Sequence, residues 1–347
     1  MQDTHRSFLK RLLFFCLLTI VAIGVIGVIF MYRLPSGMKP HGSIIVTASS
    51  DPTDALLDTI SLGVDSHTVT LVGSDDGSHG VEYAYSLNGA HVAFLGMSTS
   101  SIKKAEDGTT SGGMAIQVYT AMATNTPPAP DNAHVVTQDP DMIKGVPSIS
   151  NDGKYILYSS TNDTQRPGPQ GTVGVANYSI HLVSVGTSST STTATSSVLT
   201  TGMQPHWISD TVFCYIAVDG VRIWDVARSQ STLILPIPGQ SNFKLSISPD
   251  AKILAFSNPD AQEVFVYSLR ADGTIAAELG SIGILGFWVV FSPDSNFMAI
   301  QTAQQQSEQD FTDPSIEVYN TRTLKPINAS ILLKPLLNDS LFMTAWI

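Results

Sequence analysis

Two kinds of recurring segment, an uninterrupted apolar run near the N-terminus and a final strand-like segment with no turn after it predict the fold class. They point to an all-β protein: a six-bladed β-propeller whose C-terminal strand closes the first blade, preceded by one N-terminal transmembrane helix. The expected division is a cytoplasmic tail over 1–11, a transmembrane signal anchor over 12–32, a linker over 33–42 and the propeller over 43–347.

The first recurring unit is an apolar strand, a turn of Ser with Asp, Asn or Gly, and a second apolar strand. It reads YAYSLNGAHVAFLG from Tyr83, PSISNDGKYILYSS from Pro147, PHWISDTVFCYIA from Pro205, LSISPDAKILAFSN from Leu245 and VVFSPDSNFMAIQT from Val289. This is hairpin chemistry. Pro presets φ, and Asp, Asn and Gly tolerate left-handed backbone. Flanking apolar and polar residues alternate, as half-buried strands require. The second unit is a short I-x-V-Y strand: AIQVYTA at Ala115, SIHLVSV at Ser179, GVRIWDV at Gly220, EVFVYSL at Glu263 and SIEVYNT at Ser315. LLDTISL at Leu56 is a weaker sixth copy.

Asn88, Asp152, Asp210, Asp250 and Asp294 mark the turns, at intervals of 64, 58, 40 and 44 residues. The last two match the ~40–45-residue period of propeller blades. The longer intervals carry loop-like stretches at 97–113 and 122–141 and a Ser/Thr tract at 186–201. The segment FMTAWI at Phe342 reads as a first strand without a turn, while 43–72 lacks a first strand. A ring leaves no free edge, so Met343–Ile347 is expected to pair with Ser43–Thr47.

Leu12 to Met31 holds twenty residues without a charge. As a helix rising 1.5 Å per residue, such a run spans a bilayer core of ~30 Å. Arg6, Lys10 and Arg11 before it, against Arg33 and Lys39 after it, favour the N-terminus inside. A cleaved signal peptide is the rival, but the run is long and leaves through bulky Phe30-Met31-Tyr32. Either reading puts the remainder outside the cytoplasm, periplasmic or extracellular.

Charge is divided. Residues 1–39 hold five basic residues against one acidic, a net of +4; the remaining 13 basic and 28 acidic residues give −15. An acidic body repels phosphate backbones, which argues against nucleic acid as a partner. The two cysteines, Cys16 in the apolar run and Cys214 in a strand, suggest neither a disulfide nor a metal site.

The turns Ser248-Pro249-Asp250, Ser292-Pro293-Asp294 and Asn151-Asp152-Gly153 resemble those of TolB-type propellers. VRIWDV at Val221 resembles the strand of WD repeats. The resemblance covers roughly residues 43–347 and implies a protein-binding platform. Asp210 lacks the Pro and Gly of the pattern, and Leu87-Asn88-Gly89 is a poor copy of it.

No nucleophile elbow, H-E-x-x-H, C-x-x-C, phosphate loop or dinucleotide motif occurs. No catalytic residue, cofactor or metal is therefore assigned. The histidines are scattered, and the acidic pairs lack calcium-loop spacing. First strands line a propeller's channel, so His206, Trp207 and Trp288 form the candidate ligand or partner surface. The expected function is a membrane-anchored, extracytoplasmic protein-binding or scaffold module, with a protein partner of unknown identity and, through the N-terminal helix, the membrane as its contacts. The alternative is an extracytoplasmic enzyme, or a binder of glycans or small molecules, that uses the channel.

Overall fold

The computed structural model describes residues 40, 42–49, 56–62, 67–71, 80–98, 103–104, 110–111, 115–123, 133–137, 143–161, 177–185, 196–237, 243–258, 261–302, 315–327, 331–332 and 340–346. The chain divides into two units, Met1–Pro40 and His41–Ile347. The second is built of antiparallel sheets.

Five sheets have the four-stranded form of a propeller blade, with strands in radial order. The first blade is Ser340–Trp346, Ser43–Ser49, Leu56–Leu62 and His67–Leu71. The second is Gly80–Tyr85, His91–Ser98, Ala115–Met122 and His134–Val135. The third is Met203–Trp207, Val212–Ala217, Gly220–Asp225 and Gln230–Pro236. The fourth is Lys244–Ile247, Ile253–Asn258, Glu263–Leu269 and Ile275–Ile282. The fifth is Gly286–Phe291, Phe297–Thr302, Ser315–Asn320 and Ile331–Leu332.

The expectation of six such blades behind a transmembrane helix is corrected: among the described residues the regular blades number five. Segment 143–201 forms a five-stranded split sheet between the second and third blades. Its inner edge is broken into Ile143–Lys144 and Ser148–Ile149, both paired with Tyr155–Thr161. The break has a local cause. Pro147 has no N–H to give a ladder, and a Cβ on Gly145 would lie 2.7 Å from Ser159 Oγ. The described residues contain no α-helix. The single-pass membrane address is likewise corrected. Among the described residues no helix is long and apolar enough to cross a membrane, and the expected span over 12–32 lies outside them.

The closure between distant strands is present. Ile44 pairs with Trp346, Ile45 with Ala345, Val46 with Met343 and Thr47 with Phe342, with a bulge between Ile45 and Val46. Met343 and Trp346 then pack with Ile44, Val290, Phe297 and Ile316, sealing the first blade to the fifth.

Second strands do not show the alternation expected of half-buried strands. Phe297–Thr302 is buried throughout, and Ile253–Asn258 is buried at its four central positions. Each lies between two neighbouring sheets, so both faces are covered and a continuous apolar run is selected. The outer strands, such as Ile275–Ile282, are mostly exposed. Part of the Ser/Thr tract, Ser196–Thr201, is an outer strand rather than a loop.

Side chains also clip neighbouring sheets together. The Gln204 amide donates to Phe243 O and accepts from Leu245 N at 2.8 and 3.0 Å. Gln301 Oε1 accepts from Met343 N at 2.8 Å. Ser148 Oγ accepts from Trp207 N at 3.1 Å. Asn88 donates two hydrogen bonds to Asn151, from its backbone N to Oδ1 and from its Nδ2 to the backbone O.

Candidate functional site

The turn after each inner strand explains why this end of the ring is well defined. Ser86, Ser150, Ser248 and Ser292 each donate Oγ–H to the Asn or Asp two residues on, at 2.6–2.7 Å. Each Oγ also accepts a backbone N–H five residues on, from His91, Tyr155, Ile253 or Phe297, at 2.9–3.0 Å. The Asn or Asp oxygen accepts a further backbone N–H two residues later. The left-handed residue is the next one: Gly89, Gly153, Ala251 and Ser295, at φ of 69, 70, 56 and 59°. Asp itself is not left-handed, contrary to the sequence expectation; its task is to accept hydrogen bonds. The third blade departs, with a shorter turn closed by Ile208 N to Val212 O.

The residues two before these turns, Ala84, Ser148, His206, Ser246 and Val290, all line one central cavity of about 160 Å³. Tyr83, Tyr85, Trp207, Trp288, Phe291 and Trp346 supply its aromatic wall. A second cavity of about 460 Å³ shares Tyr85, Ser86, Leu87, Pro249 and Trp346 with the first and adds Asn88 and Pro293. It is the channel mouth, at the face that carries the turns.

All three candidate residues thus border the same cavity, in different roles. His206 is partly exposed and ringed by protein. Burial pushes its imidazole down to about 4, against the opposing effect of a hydrogen bond with the Leu245 backbone. Trp207 is a core residue, 3% exposed, with its ring edge-on to Phe213 at 5.8 Å. Its Nε1 and the Tyr85 hydroxyl have no hydrogen-bond partner among the described residues. Burial raises Tyr85 to about 12. One face of Trp288 is taken by the Lys244 ammonium, 3.9 Å from the ring centre. That is cation–π geometry, so Trp288 does not offer that face for stacking.

Sequence reasoning missed Tyr83, Tyr85, Ser246 and the mouth residues Leu87, Pro249 and Pro293. Counting two residues back from each turn serine finds Ser246, because equivalent strand positions share a face. It also missed a buried chain in the split sheet. Ser160 Oγ lies 2.7 Å from His181 Nε2, and His181 Nδ1 lies 3.1 Å from Ser196 Oγ. Tyr158 stacks on the imidazole at 4.8 Å. Ser160 is 1% exposed, so this is an internal tie between strands.

Among the described lining residues there is one imidazole and no carboxylate. No acid–base pair is assembled among them.

The fold defines the chain as a β-propeller. Of solved structures, it is similar to TolB from Acinetobacter baumannii, with 15% identity over 91% of this chain and 69% of that one, at a TM-score of 0.54. A functionally unknown protein from Desulfotomaculum acetoxidans shows 10% identity over 89% of this chain and 91% of that one, at 0.45. Chaetomium thermophilum Sqt1 bound to the N-terminus of ribosomal protein L10 shows 15% identity over 82% of this chain and 73% of that one, at 0.40. These likenesses concern the fold alone, and the one with TolB agrees with a β-propeller fold. No protein-family model and no curated protein matches the chain.

Proposed function

We propose that this chain is a non-catalytic binding module whose propeller body, residues 43–347, takes a segment of a protein partner at the channel mouth on the turn face. The observation that carries this reading is the continuous cavity. Inner strands from all five blades and the split sheet line it. Most of its lining residues are aromatic or apolar, it adjoins the mouth cavity on the turn face, and the described lining holds no carboxylate. Aromatic, desolvated pockets ringed by polar groups are where interface energy concentrates. The hydrogen-bonded turns hold the rim rigid, which lowers the ordering cost of binding.

Plugging the channel tests this. Ala84→Leu and Ser246→Leu place extra carbon atoms in the cavity. Leu279→Glu, on the exposed outer strand of the fourth blade, is the control. Each variant is first shown to melt like the parent. In quantitative affinity isolation, a partner held by the parent and by Leu279→Glu should be lost with either plug. A partner that both plugs retain would refute the reading.

A further inference from the structure

We infer that the inner cavity receives an uncharged amide group of the partner segment, held by His206 between Ser148 and Ser246, an inference that rests on the binding proposed above. Two features of the lining lead to it. One side of the cavity carries hydrogen-bonding groups and the other is apolar, and neither carries a charged side chain.

The division follows the order of the sheets around the channel. The inner strands of the split sheet, the third blade and the fourth blade are neighbours. At equivalent positions bordering the cavity they carry Ser148, His206 and Ser246. The second and fifth blades carry Ala84 and Val290 there, and the closing strand of the first adds Met343 and Ala345. The Gln204 amide also borders the cavity, but it is spent on Phe243 O and Leu245 N. The remaining polar groups differ in kind. Ser148 Oγ accepts from Trp207 N at 3.1 Å and keeps its own proton to donate. The Ser246 hydroxyl makes no hydrogen bond among the described residues. One nitrogen of the neutral His206 ring donates to the Leu245 backbone, which leaves the other as an acceptor. Two hydroxyl donors therefore flank one acceptor. An amide is their complement, because its carbonyl accepts two hydrogen bonds while its N–H donates.

The second feature is the absence of charge. Among the described residues that line the inner cavity and the mouth there is no Asp, Glu, Lys or Arg. The Lys244 ammonium lies against Trp288, and Lys244 itself lines neither cavity. The lining groups that can ionise are held neutral. Burial pushes His206 down to about 4, and it pushes Tyr85, which borders both cavities, up to about 12. The surroundings thus penalise a cation and an anion alike, and a bare carboxylate or ammonium finds no counter-charge there. The inner cavity, at about 160 Å³, has room for one small group. The mouth, at about 460 Å³ and edged by Leu87, Pro249 and Pro293, has room for the chain that carries it.

The probes are butanamide, butanoate, butylammonium and butan-1-ol, which share one carbon chain and differ in the polar group. Each is titrated into the full chain at neutral pH, with the indole N–H signals of the protein followed by NMR. Butanamide should bind saturably, about tenfold more tightly than either ion and severalfold more tightly than the alcohol. Ser246→Leu should abolish that binding. His206→Leu keeps the bulk, removes the acceptor and should weaken binding about tenfold, while His206→Gln should retain it. Ser246→Ala removes one donor without adding bulk and should weaken binding severalfold. Each variant is first shown to melt like the parent. Equal affinity for butanamide and either ion overturns the charge argument. Equal affinity for butan-1-ol, or binding that neither His206→Leu nor Ser246→Ala weakens, overturns the assignment of an amide. If butanamide does not saturate yet Ala84→Leu still loses the partner, this inference fails and the proposed binding at the mouth stands. If the plugs leave the partner bound, that proposal fails by itself.

Discussion

Replacing Ser248 with alanine removes one hydroxyl that does two jobs. Its Oγ–H donates to Asp250 Oδ1 at 2.7 Å, and its oxygen accepts from Ile253 N at 2.9 Å. The serine is fully buried, so water cannot take over either role. Asp250 keeps the N–H of Lys252 at 3.1 Å. The lasting loss is therefore one stranded backbone N–H and one charge-assisted hydrogen bond to a partly solvated carboxylate. Those terms suggest a cost of about 2–3 kcal/mol. In a unit of this size that is a fall in melting temperature of about 4–6 °C. Ser292→Ala and Ser150→Ala should cost about as much, because each serine makes the same pair of bonds. Ser209→Ala is the contrast. Its oxygen accepts from Val212 N at 3.1 Å and Thr211 N at 3.4 Å, has no aspartate to donate to, and is partly exposed. It should cost less than about 1 kcal/mol. Urea denaturation of the four variants decides the matter. Equal losses for Ser248→Ala and Ser209→Ala would show that the paired serine–aspartate bonds do not stabilise the turns.

Four further outcomes follow from the same structure. Ala251→Gly relieves a left-handed alanine at φ 56° and should raise stability by up to about 1 kcal/mol, whereas Gly153→Ala should lower it, because a Cβ there meets the His91 ring at 2.6 Å; thermal melts of the two should shift in opposite directions. Trp346→Ala empties a site that is 5% exposed at the closing strand and should cost about 3–5 kcal/mol, measured by the denaturation midpoint. Hydrogen bonds from Lys154 and Ser150 hold Asp152 at about 2, so its stabilisation is complete above the ordinary value of 3.8 and is lost as pH falls through 2; Asp152→Asn should flatten the stability curve between pH 4 and 2. Burial holds His206 at about 4, so folding selects the neutral imidazole; stability should be full above pH 6.5 and fall toward pH 4, and His206→Gln should remove that slope.

Much of the fold was legible, for identifiable reasons. The turn segments repeat because four inner strands solve the same local problem in the same way, and the Ser-x-Asp pattern at Ser248 and Ser292 records that solution. Closure was legible because Phe342–Trp346 had the pattern of a first strand while Ser43 lacked one before it. The split sheet was not, because the break depends on how closely Gly145 approaches Ser159, a contact between residues 14 positions apart. The role of the turn serines was hidden for a related reason: sequence shows a polar residue but not the two bonds it makes. At the candidate site, His206, Trp207 and Trp288 border one cavity. Strand position does not show that Trp207 turns into the core or that Lys244 covers Trp288.

The closing pair of strands also sets a schedule for the chain during synthesis. Ile44–Ser49 leaves the ribosome early, and its partner Ser340–Trp346 is made roughly 300 residues later, a delay on the order of 15–60 s at ordinary elongation rates. Throughout that interval the first sheet presents an unpaired inner edge of apolar residues, the kind of edge that invites a neighbouring nascent chain. Ring completion is thus a late event in the birth of the molecule. A slower ribosome, or a neighbouring ribosome on the same message, would lengthen or crowd the period in which two copies can exchange this strand instead of each keeping its own.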